Sequence, residues 1–222
     1  MTKMLKIAGN LQGFKDDPDY LQREMDWLRT RVRRIAQERK ARDAHDEEEY
    51  EPDRLVRPGR VGSRDARLQA VELLERERAL RNKIDARLDL NRTQRGAPTL
   101  GLDVVATEAS LGAEERLILL TALPYGIAQN VAESVLGEFS RHWGAISVAD
   151  AIGVLDPKNI SDWLRFRRMF RPSAPLVEHG LIEVGKADGS VGPDTLMCSD
   201  IRLTLDAFSK IVGDPDALTE AD

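Results

Sequence analysis

A single cysteine, Cys198, in 222 residues excludes an internal disulfide and fits a reducing cytoplasm. The three histidines, His45, His142 and His179, stand at no metal-ligand spacing from one another or from Cys198, so no zinc pattern is present. No apolar run approaches the ~18–20 residues that cross a bilayer, which argues against a membrane partner. Met1–Ala8 turns polar too quickly for a secretory signal. Aromatic residues make up 5% of the chain, so the core must rest on Leu, Val, Ile and Ala. Catalytic sets are missing too: no residue suited to activating a thiolate adjoins Cys198, and Glu114-Glu115 reads as helix-start electrostatics. The expectation is a protein that is not an enzyme and carries no cofactor or metal.

What is present in quantity is charge, at 32% of residues with a net of −5. It is unevenly spread. Residues 113–222 hold 10 Lys and Arg against 17 Asp and Glu, while residues 1–112 are slightly basic. A duplex reader needs a positive surface to neutralise phosphates, so the acidic second half disfavours nucleic acid and favours a protein partner.

The composition divides the chain. Residues 1–16, with Gly9, Asn10 and Gly13, read as a flexible leader. Asp17-Pro18-Asp19 is a helix start, with Asp17 as N-cap. Leu21, Met25, Leu28, Val32 and Ile35 then form a heptad-like seam that fades near Lys40. The acidic run Asp46–Glu49 and the breakers Pro52, Pro58, Gly59 and Gly62 predict a mobile loop over 43–63. A second helix follows from about Ser63 to Arg92, with Leu73, Leu80, Ile84 and Leu88 inside and pairs such as Glu77/Arg81 on exposed faces. Together 17–95 form a helical hairpin or coiled coil, through which the chain could also form a homo-oligomer. Gln94–Pro98 mark the boundary to a compact domain over 99–213, and 214–222 read as a tail or linker.

Within that domain, short helices are predicted at 101–108, from Leu111 to Pro124, at 128–142 and at Ser147–Leu155. A basic, aromatic helix runs from Asp156-Pro157 to Phe170, with Trp163, Phe166 and Phe170 on one face. A strand within Ala174–Val184, a Gly/Asp-rich turn and a strand at Thr195–Thr204 follow, the latter carrying Cys198 as a buried or half-buried residue. Helix, strand, turn and strand after earlier helices is the order of a winged helix. The fold class is therefore mainly α with a small β-hairpin: a charged helical hairpin followed by a winged-helix domain. The residues suited to partner binding are Arg165, Arg168 and Arg171 at the end of the basic helix and Lys186 in the turn. Gly180–Ala187 matches seven positions of a phosphate-binding loop, but Ala187 replaces the hydroxyl that holds Mg²⁺, and a hairpin turn follows where a helix is required.

Residues 100–212 resemble the N-terminal winged-helix region of bacterial AAA+ ATPases, some of which accompany contractile injection systems. The resemblance is carried by Leu100–Val105, Leu111–Leu120, Arg171–Ile182 and Ile201–Leu203, and the preceding charged helices resemble that family's N-terminal extension. It implies an accessory interaction module beside an ATPase. The family's phosphate loop, acidic Mg²⁺ motif and arginine finger do not occur in these residues, so no catalytic position is carried over. The resemblance leaves open an N-terminal fragment or a short protein that keeps only the accessory domain. The reading is a non-enzymatic adaptor of, or partner to, a AAA+ ATPase. The alternative is a winged-helix DNA-binding regulator dimerised through its N-terminal helices.

Overall fold

The computed structural model describes residues 12–50, 59–140, 144–185 and 195–214. Helices account for most of them and a small antiparallel sheet for the remaining regular structure, in keeping with the mainly α class.

The first helix, α1 (Asp17–Tyr50), is capped by Asp16, whose carboxylate accepts the Asp19 N–H at 2.9 Å. Asp17, the residue the sequence suggests for that role, instead accepts the Gly101 N–H at 2.7 Å and ties the start of α1 to α3 (Gly101–Glu108). α1 continues past Lys40 to Tyr50, and α2 opens at Gly59 rather than Ser63, ending at Thr93. Glutamates are good helix formers, so the acidic run at 46–49 extends the helix that was expected to end before it. Residues 51–58, with both prolines, lie outside the described residues, as do 1–11 of the expected leader 1–16 and 215–222 of the expected tail 214–222. The two long helices run antiparallel: Asp19 meets Arg87, Glu24 meets Arg81, and Arg31 and Arg34 meet Glu77.

The body follows as α3, α4 (Ala113–Ile127), α5 (Gln129–Leu136), β1 (Ile146–Ser147), α6 (Val148–Leu155), α7 (Ile160–Arg167), α8 (Pro175–Glu178), β2 (Ile182–Gly185), β3 (Asp200–Leu203) and α9 (Leu205–Val212). Pro124 does not end α4 but sits inside it, four residues before the Ala128 N–H that donates to its carbonyl at 3.0 Å. The helix expected over 128–142 is shorter, ending as a 3-10 turn at Gly137–Phe139. Side-chain caps start several elements: Ser147 accepts the Asp150 N–H at 3.0 Å, Asn159 the Asp162 N–H at 3.0 Å and Thr204 the Ala207 N–H at 3.2 Å.

The sheet has the order β1-β3-β2 with both pairings antiparallel, Ile146 opposite Ile201 and Ile182 opposite Leu203. The β2–β3 pair is the anticipated hairpin, and β1 is an addition too short to show alternation. β3 begins only at Asp200. Cys198 lies before it in a 3-10 turn closed by the Cys198 and Ser199 N–H groups on Thr195 and Leu196, and is exposed rather than buried on a strand.

All five seam residues of α1 are buried, and one continuous apolar cluster joins Leu28, Val32 and Ile84 of the hairpin to Leu136, Phe139 and Ile152 of the body. The core therefore crosses Gln94–Pro98 without a break, and the seam is covered by this chain itself.

Candidate functional site

The basic helix is built by local rules. Asp156 does not start it: its backbone is left-handed (φ +64°) and closes α6, a conformation Asp tolerates better than most residues. Asn159 caps α7 instead, with Asp162 in the first turn and Arg165 and Arg167 in the last, where the helix dipole favours each sign. Arg168–Phe170 tighten into a 3-10 turn. Arg171 is extended (ψ 154°), as the residue before a proline must be, and Pro172 prevents further helix. Pro175 then opens α8, a single turn carrying Glu178 and no cation.

Phe166 and Phe170 are buried and Trp163 packs against the same core, which leaves the opposite side of α7 outward. That side shows Ile160 at 78% and Leu164 at 53% exposure, with Arg168 exposed one turn further on. Arg165 is exposed too, but its guanidinium contacts Glu114 at 3.0 Å and Asp162 at 3.9 Å and lies 4.3 Å from the Phe166 ring centroid. Its hydrogen bond holds the Glu114 carboxyl below the usual range. Arg168 and Arg171 are exposed, and their guanidinium groups have no acid partner among the described residues. The structure thus brings Arg165, Arg168 and Arg171 to the end of one element. Lys186 lies outside the described residues. Sequence reasoning missed Ile160 and Leu164. For Leu164 the signal was present, because one residue past Trp163 is a rotation of about 100° off the Trp163–Phe166–Phe170 stripe, whereas Ile160 stands three residues before Trp163, a spacing that groups it with the stripe.

A cleft of about 900 Å³ lies between the hairpin and α3, α4, α6 and α7, with Leu117, Leu120 and Leu155 among its lining residues. Its volume suits a small ligand, yet its inner charges are spent on one another. Glu24, fully buried, accepts from Arg81 at 2.8 Å and Arg116 at 3.0 Å. Burial raises the Glu24 carboxyl against the opposing pull of Arg81. Burial also lowers Arg116 to about 10, which still leaves it a cation at neutral pH. Beside the cleft, Glu77 holds Arg31 and Arg34 at 2.7 Å each, and Arg34 reaches Asp156 at 3.0 Å. Glu77, expected on an exposed face with Arg81, is instead turned into the hairpin, where Arg31 and Arg34 wait 46 and 43 residues away in sequence.

Among the described residues no group of three or more His, Cys, Asp and Glu side chains could hold a metal ion, and no helix is long and apolar enough to cross a membrane. His179 is exposed after α8. Compared with known proteins, residues 4–220 match the family model of the winged helix domain, variant. No curated protein matches the chain, and no solved structure does.

Proposed function

The chain belongs to the variant winged helix domain family, and on that premise we propose that it is a non-enzymatic docking module that recruits a protein partner through the outward side of α7. The observation that carries the reading is the pair Ile160 and Leu164, the first of them the most exposed large apolar side chain among the described residues. Exposed apolar side chains next to arginines suit a protein interface, whose buried centre is apolar and whose energetically dominant residues are enriched in arginine. The acidic balance of residues 113–222 supports the same choice.

The setting we propose is the cytoplasm, beside a AAA+ ATPase. It rests on the sequence resemblance of Leu100–Val105 and Leu111–Leu120, and any ATP hydrolysis would belong to a module outside these residues. A DNA-binding reading draws on Arg168 and Arg171, which lack acid partners among the described residues. The test is a photo-crosslinking amino acid placed in cells at position 164, with position 82 on the exposed side of α2 as control, alongside a duplex gel shift at low and physiological salt. The expected result is a defined protein adduct, including a AAA+ ATPase, from position 164 only, with no duplex shift. A low-salt shift abolished by Arg168→Glu with Arg171→Glu, and no adduct, would replace the docking reading with the DNA one.

A further inference from the structure

The chemistry of the α7 ridge specifies more than a generic protein surface. Ile160 and Leu164 lie one helical turn apart on the same line, and Arg168 continues it by another turn. Side chains spaced by four residues form a ridge that seats in the groove of a second helix. α7 spans about 12 Å, so a facing helix needs only a few turns to cover it.

Charge fixes the polarity of that occupant. Two other cations near α7 are neutralised in place: Arg165 by Glu114 and Asp162, and Lys158 by Asp156 at 2.8 Å and Glu38 at 3.5 Å. Arg168 and Arg171 have no such acid among the described residues. Unbalanced positive charge therefore collects at the C-terminal end of the ridge, and the N-terminal end is apolar. Burying these arginines under a neutral partner would strand them, whereas a carboxylate opposite each would complete a charge-assisted pair. A duplex presents phosphates along its whole length and would leave Ile160 and Leu164 against a charged backbone.

We propose that the α7 ridge binds an amphipathic helix of a partner protein whose Leu/Ile stripe covers Ile160 and Leu164 and whose acidic end meets Arg168 and Arg171. This inference rests on the docking reading above and adds the chemistry of the partner.

The probe is a fluorescein-labelled synthetic helix of about four turns with a leucine stripe and glutamates at one end, compared by fluorescence anisotropy with the same helix carrying lysines there. Both are titrated with the full chain at low and physiological salt. The acidic helix should bind and the basic one should not. Ile160→Ser with Leu164→Ser should weaken binding by about tenfold or more. Arg168→Glu with Arg171→Glu should abolish binding of the acidic helix and transfer it to the lysine helix. Circular dichroism of each variant should match the parent, since all four side chains are exposed. No binding of the acidic helix at low salt, or binding indifferent to both pairs of substitutions, would overturn the proposal. If the acidic helix fails while the adduct at position 164 persists, the partner chemistry falls and the docking reading stands; if both fail, both fall. Self-association in sedimentation that Ile160→Ser with Leu164→Ser abolishes would make a second copy the occupant and overturn the proposal.

Discussion

Substituting Glu24 by glutamine changes no volume and removes one negative charge from the point where the hairpin meets the body. Glu24 is fully buried, with one oxygen on Arg81 of α2 and the other on Arg116 of α4. Removing one partner of a buried ion pair costs about 3–5 kcal/mol, because the remaining charge keeps its desolvation penalty without its attraction. Two features place this site at the lower end. Arg81 retains Asp85 at 2.7 Å, and Arg116 retains a longer contact to Asp103 at 3.5 Å. Both arginine side chains also keep some solvent contact, at 26% and 18%. The expected loss is therefore about 3 kcal/mol, or about 6–12 °C in Tm for a chain of this size. Urea unfolding followed by circular dichroism, with calorimetry to test for a single transition, measures it. The companion variant converts all three groups to apolar ones, Glu24→Leu with Arg81→Met and Arg116→Met. It should be more stable than Glu24→Gln, because no charge is left stranded. A Glu24→Gln protein within 1 kcal/mol of the parent, or a triple variant less stable than the single one, would refute the account of this network (both limits set by the ~1 kcal/mol scale of ordinary substitutions).

Gly101 packs where α3 meets α9: an added Cβ would strike the Lys210 carbonyl oxygen and come within 2.9 Å of that of Ile211. Gly101→Ala should cost about 1–3 kcal/mol by overpacking, seen as a lower urea midpoint. Asp156 is pushed up by burial, but its contacts with Lys158 and Arg34 outweigh this and hold it below its ordinary 3.8. Its stabilisation is thus fully present above that value and lost as pH falls through the lower folded value. Asp156→Asn should flatten the acid limb of the stability curve below pH 3.8, read from urea midpoints across that range. Cys198 is exposed and should react stoichiometrically with a thiol reagent in native buffer; reaction only in denaturant would contradict its place outside the core.

The elements that announced themselves in sequence are those whose signal is local and repeated. The Leu21–Ile35 seam repeats over several turns, the β2–β3 pair is separated by turn residues, and the Trp163–Phe166–Phe170 stripe has helical spacing. Boundaries misled where one residue type serves two ends. Asp156 before Pro157 reads as a helix start, yet its left-handed backbone ends α6. Asp17 reads as a cap, yet it is Asp16 that caps and Asp17 that bridges to α3. The buried ions were the least legible. Glu77 followed by Arg81 is the pattern of an exposed pair on one helix, and only the folded hairpin brings Arg31 and Arg34 to it. The α7 arginines were visible as charge, but their value for binding depends on which are already paired. Glu114, the partner that occupies Arg165, is 51 residues away.

These two kinds of charged site should separate cleanly under mutation. The network of Glu24, Glu77 and Asp156 lies on the core side, joining α1 and α2 to α4 and to the end of α6. Arg168 and Arg171 are exposed and contribute no ion pair among the described residues. Substitutions of exposed residues away from such networks change stability by about 0.5 kcal/mol or less. Arg168→Glu with Arg171→Glu should therefore leave the urea midpoint near that of the parent while removing partner binding. Glu24→Gln should do the reverse, lowering the midpoint while the folded fraction still binds, because no atom of Glu24 reaches the α7 surface. Urea unfolding and anisotropy on the same preparations test both arms. If Arg168→Glu with Arg171→Glu destabilised the fold as much as Glu24→Gln does, these arginines would be holding the structure together, and their role as a docking surface would have to be given up.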